Sequence, residues 1–175
     1  MTTPKPSSSA GPPANAFIVI DGRRWRASDP QIPPNLRQEL VNELMAARRA
    51  VRDADTEVAV RASRRRVSDA KVALGERGHA WWLPPDPAAM TRRIEATARA
   101  LLRSRAPDRT ICPSDVARVV GAGAWRALLP VVRDHAVAMS GRGALEILRG
   151  GQRVTDEPTR GVLRYRLAPG GTDGA

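Results

Sequence analysis

The run TICPSDVARVVGAGAWRALLPVVRDHAVAMSGRGALEILRGGQRVTDEPTRGVLRYRL, residues 110–167, decides the fold. Pro113 suits a first helical turn, where its missing N–H is no loss, and Asp115 there favours the positive end of the helix dipole. Val116, Val119 and Val120 supply an apolar side, and Gly121 is a ready stop. A turn with Gly123 follows, then a longer helix carrying Trp125. In it Leu129, Val132, Ala136 and Met139 recur at helical period as a buried stripe. Arg126, Pro130, Arg133 and Val137 fall on another face. Pro130 is tolerable in a first turn and would kink the helix any later. Gly141 or Gly143 ends the element.

Ala144 to Arg149 and Val162 to Leu167 then read as strands. In the second, Leu163, Tyr165 and Leu167 alternate with Val162, Arg164 and Arg166, the period of a half-buried strand. The intervening GGQRVTDEPTRG is too long for a tight turn and rich in Gly, Arg and Pro. Short helix, turn, longer helix and ribbon form the outline of a winged helix-turn-helix, with this loop as the wing. In that arrangement Arg126 and Arg133 face a major groove, where guanidinium forks pair with guanine edges or phosphates. Arg149, Gln152, Arg153 and Arg160 decorate the wing as positioning contacts to the DNA backbone, and Arg164 and Arg166 face outward from the ribbon. Asp134, Asp156 and Glu157 lie close to this surface, and the helix offers few Asn, Gln or Ser readers, which implies weak sequence selectivity.

The ordered series CPSDVAR, WR, a Pro three residues before an Arg, GxxxI and RGVLRYRL resembles a small uncharacterised bacterial winged-helix family, a domain of unknown function. The resemblance covers Met90 to Leu167, roughly half the chain, and implies a fold with no activity to carry over. Earlier segments, DGRRWRASDP, LRQELVNELMAARRAV and DAKVALGERG, are similar to stretches of actinobacterial proteins sometimes labelled transporter or Tol-related. No apolar run long enough for a membrane span and no propeller repeat accompanies them.

Formal net charge is +11, which favours a polyanionic partner through counterion release. Lysine occurs only at Lys5 and Lys71, so nearly all of the cationic charge is arginine, as Ala/Arg-rich usage of a GC-rich genome also produces. Residues 17–83 hold 13 basic and 9 acidic side chains, net +4, and residues 84–167 hold 15 and 8, net +7. Aromatic residues make up only 3%, so the core is lean. A single cysteine, Cys112, excludes an internal disulfide and fits a reducing compartment. With no signal-type apolar run in MTTPKPSSSAGPPANA, the expectation is a cytoplasmic protein.

The fold class expected is mainly α with small β (α+β), in four parts. Residues 1–16 form a disordered tail, 17–83 a β-hairpin and an antiparallel helical hairpin, 84–167 the winged domain, and 168–175 a flexible tail. Asp21-Gly22 should turn Phe17–Ile20 back onto Arg24–Ala27. Leu36, Leu40, Leu44, Ala47 and Val51 mark one helix, and Val60, Val67, Ala70 and Leu74 the next. Trp81 and Trp82 in the linker GERGHAWWLPPDP staple the halves. Asp86 caps a helix with Met90, Ile94, Thr97 and Leu101 buried.

No nucleophile motif frames the Ser, His and Asp residues, and the glycine pairs open no phosphate loop, so the expectation is a protein that is not an enzyme. His79 and His135 have no Cys or carboxylate at metal-ligand spacing, so neither metal nor cofactor is expected. The partner expected is DNA, held mostly through phosphates. The alternative is an adaptor or homodimer formed through the helical hairpin, in which the arginines, including Arg61 and Arg64–Arg66, are a solvated face.

Overall fold

The computed structural model of this chain describes residues 11–105, 108–154 and 161–169. It is an α+β protein. The Asp21-Gly22 signal closes a hairpin in which β1 (Phe17–Ile20) pairs with β2 (Arg23–Arg26), Ile20 opposite Arg23. Asp21 and Gly22 have φ of 50° and 72°, the left-handed pair that a two-residue turn needs. Since two residues complete this turn, β2 begins one residue before the predicted Arg24. Ala16, assigned by composition to a disordered tail, is fully buried, and its carbonyl accepts the Ala27 N–H at 2.9 Å. The ladder thus runs one rung past Phe17; residues 1–10 of that expected tail and 170–175 of the C-terminal one lie outside the described residues.

Helix α1 (Pro34–Asp53) buries Leu36, Leu40, Leu44 and Ala47 as their spacing requires. It stops at Ala54, and α2 (Glu57–Ala73) starts afresh from Thr56, whose hydroxyl accepts the Ala59 N–H at 3.1 Å. That cap satisfies an orphan donor and makes the pair a hairpin. The buried set of α2 is Ser63, Ala70, Val72 and Ala73, wider than the predicted stripe, because α2 packs against both α1 and α3 (Pro87–Ser104). Asp86 caps α3 as expected, accepting from Ala89 N at 2.7 Å.

Arginine ties these helices together. Arg66 grips Glu43, Arg99 and Arg103 share Asp69, and Arg105 bridges Glu39 to Asp115. Arg142 reaches back to Glu95, and Arg93 to Asp29. Several arginines are therefore committed to holding helices together, and the net charge of +11 is carried by others.

After α3, Ile111 forms a single antiparallel bridge to Tyr165, and α4 (Pro113–Gly121) follows. The longer helix predicted to carry Trp125 is divided. Ala122–Leu128 is a 3-10 helix, and α5 spans Leu129–Gly141. Pro130 is the reason: without an N–H, and with a ring that meets the preceding turn, it has to occupy the first turn of α5. Val132, Ala136 and Met139 of α5 are buried as the stripe predicts, and Leu129 packs half-buried beside them.

Strand β3 (Leu145–Arg149) lies between β4 (Gln152–Arg153) and β5 (Leu163–Leu167) in an antiparallel sheet of order β4-β3-β5. The sequence between β3 and β5, expected to be too long for a tight turn, begins with one that leads into β4. Gly150 and Gly151 take φ of 56° and 83°, which sets Arg149 opposite Gln152. One hydrophobic core runs from Ile32 and α1 through α3 and α4 to Ile147 and Tyr165.

Candidate nucleic-acid interface

The candidate residues among those described fall into three groups. Arg126 is in the 3-10 helix, not on α5, and is exposed. Its guanidinium lies 4.4 Å from the Trp125 ring centroid, and Arg118, from the exposed side of α4, lies 4.8 Å from the same ring. Trp125 packs against the core and has two guanidinium groups within cation–π distance of its ring. Sequence reasoning passed over Arg118, although its place opposite Val116, Val119 and Val120 marked it as outward.

Arg133 differs from its predicted role. It is half-buried, its Nε is enclosed with no hydrogen-bond partner among the described residues, and its charge acts on Tyr165 inside the sheet. Burial pushes the Tyr165 hydroxyl well above its ordinary value, and Arg133 only partly offsets that rise. Once Pro130 resets the start of α5, Arg126 and Arg133 no longer share a helix face. The exposed positions of α5 are Pro130, Val131, Asp134, Ala138 and Gly141, without a cation.

The third group is on the ribbon, where the register separates its faces. Arg149 and Gln152 are cross-strand partners at the glycine turn, both exposed. The Arg149 side chain runs past Gly161, where the chain returns toward β5. On the other face Arg164 stands opposite Leu148 and Arg166 opposite Glu146. Glu146 is buried beneath Arg166 at 2.7 Å, with Arg153 at 3.7 Å on its other oxygen. Arg166 is thereby neutralised and Arg153 partly so. Among the described residues Arg118, Arg126, Arg149 and Arg164 have no carboxylate partner. Arg160, Asp156 and Glu157 lie outside the described residues.

A second basic surface covers the outer side of α2, where Arg61, Arg64 and Arg65 are exposed and Arg66 is committed to Glu43. His79 Nε2 donates to the Pro84 carbonyl at 2.8 Å, and His135 Nε2 meets the Thr91 hydroxyl at 3.3 Å. Cys112 precedes α4, its backbone N–H donating to Asp115 at 3.0 Å. Among the described residues no group of three His, Cys, Asp or Glu side chains could hold a metal ion. No helix among them is long and apolar enough to cross a membrane.

The architecture defines an α+β protein in which arginines without a carboxylate partner among the described residues lie on a small ribbon and on the turn between two helices. Residues 91–168 match the sequence model of a family described as protein of unknown function, DUF3253. The matched part runs from Thr91 in α3 through β5, so it contains the 3-10 helix, α5 and the ribbon and leaves out β1, β2, α1 and α2. No curated protein matches the chain.

Proposed function

We propose that residues 84–167 form a winged helix-turn-helix and that the protein binds duplex DNA without catalysis, chiefly through phosphate contacts. The observation carrying this reading is the pairing pattern of the arginines. Those of α2 and α3 that face the interior are held by Glu43, Asp69, Asp29 and Glu95, whereas among the described residues Arg118, Arg126, Arg149 and Arg164, like the exposed Arg61, Arg64 and Arg65 of α2, have no carboxylate. The order α3, α4, α5 and ribbon, with the Ile111 bridge beside β5, supports the winged topology. Arg149 and Gln152 at a tight glycine turn suit the backbone contacts of a wing. Because α5 offers Pro130, Val131, Asp134 and Ala138 to solvent, base reading by this helix is weak, and affinity rests on phosphates.

That same helix face favours a second reading, an adaptor or homodimer in which α5 or the helical hairpin meets protein. The two separate by salt. Fluorescence anisotropy with a labelled random duplex, from about 50 to about 300 mM salt, should show affinity falling steeply, by about 0.9 log units per log unit of salt for each phosphate neutralised. Absence of binding at the lowest salt contradicts the DNA reading and directs attention to oligomeric state.

A further inference from the structure

A cavity of about 300 Å³ opens where the linker 79–86, the first turns of α3 and the 3-10 helix meet. Its size is that of a small-molecule site. Trp81, Leu83, Met90 and Leu128 form apolar walls. The charged groups lining it are Asp29, Arg93 and Asp86.

The hydrogen-bonding state of these groups selects the ligand. The Trp81 indole N–H is spent on the Ala27 carbonyl at 3.1 Å. Arg93 is spent on Asp29 at 2.8 Å and leans on the carbonyls of Ala73 and Val119. Asp29 is buried, and its other oxygen accepts the Gln31 N–H. Asp86 uses Oδ2 to cap α3, while Oδ1 has no partner among the described residues. His79 donates through Nε2 to Pro84, so in the neutral ring Nδ1 is an acceptor. The aromatic and guanidinium donors of the lining are thus occupied, the Gln31 side-chain amide can donate or accept, and two carboxylates stand against one guanidinium. This local acidity occurs in a chain of net charge +11.

The wall contributed by the 3-10 helix starts at Ala122, which has φ 45° and ψ −126°. Alanine avoids that region, and backbone strain of this kind gathers at ligand clamps. We infer that the cavity binds a small aromatic ammonium ion, its ring against Trp81 and its charged end at Asp86.

Three probes sharing one ring and differing in charge test this: 2-phenylethylamine, 2-phenylethanol and phenylacetate, titrated calorimetrically into the full chain. The amine should bind saturably at or below about 1 mM, more tightly than the alcohol, and phenylacetate should not bind. Asp86→Asn keeps a good helix cap and removes the charge, so it should weaken the amine about tenfold while leaving the alcohol unchanged. Ala127→Trp, at an exposed lining position, should abolish binding of amine and alcohol while the melting temperature stays near that of the parent. Equal or tighter binding of phenylacetate, amine binding indifferent to Asp86→Asn, or no binding of the amine overturns the assignment.

Discussion

Replacing Arg66 by alanine tests how far the arginines of this chain are structural. Glu43 sits in α1 with its side chain 1% exposed, and Arg66 from α2 grips both oxygens, at 2.8 and 3.0 Å. The bond to Glu43 holds the Arg66 ionisation above its ordinary value, against the opposing effect of burial. Truncating Arg66 strands a carboxylate between two helices, and breaking a buried pair in this way costs about 3–5 kcal/mol. Two features place the loss at the lower end. Arg66 itself is 30% exposed, and Arg103 still acts on Glu43 from α3. The expected destabilisation is about 3 kcal/mol, a fall of about 6–12 °C in melting temperature for a chain of this size.

Urea unfolding followed by circular dichroism measures it, with an unchanged m-value as the sign that the unfolded state is the same. Glu43→Leu combined with Arg66→Leu should lie within about 1 kcal/mol of the parent, because desolvating the pair offsets most of its attraction. A loss below about 1 kcal/mol for Arg66→Ala alone, or a double variant as unstable as the single one, refutes the argument.

Three further outcomes follow from buried or strained groups. Tyr165→Phe should stabilise the fold by about 1 kcal/mol, since the hydroxyl is enclosed without a hydrogen-bond partner among the described residues, again read from urea unfolding. Tyr165 is the only tyrosine, and its folded-state ionisation lies above the ordinary value of 10.0. Its ionisation therefore takes nothing from stability below that pH and lowers stability as pH rises above it, when the unfolded chain ionises first. Absorbance at the tyrosinate band should stay flat until alkaline unfolding begins, and phenylalanine should remove this part of the alkaline loss. Ala122→Gly should raise stability by about 1 kcal/mol by relieving the strained φ, and a destabilised variant contradicts that strain.

Local chemistry was the most legible part of the sequence. Asp21-Gly22 needed no partner beyond its own strands to specify a turn, and the Leu163, Tyr165, Leu167 alternation fixed the inward face of β5. Thr56 and Pro130 each redirect the chain from a single position. The first separates α1 from α2 through one hydroxyl, and the second resets the helix and so moves Arg126 onto a 3-10 turn and Arg133 inward. Which arginines are free was not legible, because Glu43, Asp69 and Glu146 meet their partners across 20 or more residues. Arg164 and Arg166 read identically on the strand, yet only Arg166 has a carboxylate opposite it.

In the proposed function, Arg126 of the 3-10 helix and Arg149 and Arg164 of the ribbon hold DNA by its phosphates. The most direct measurement is the salt slope of duplex binding for the parent and for a variant with Arg126, Arg149 and Arg164 all changed to Ala. Three lost phosphate contacts should flatten the log–log slope by about 2.7 and weaken binding to unrelated sequences alike. A variant with the parent's slope and affinity, its fold intact by circular dichroism, contradicts the account.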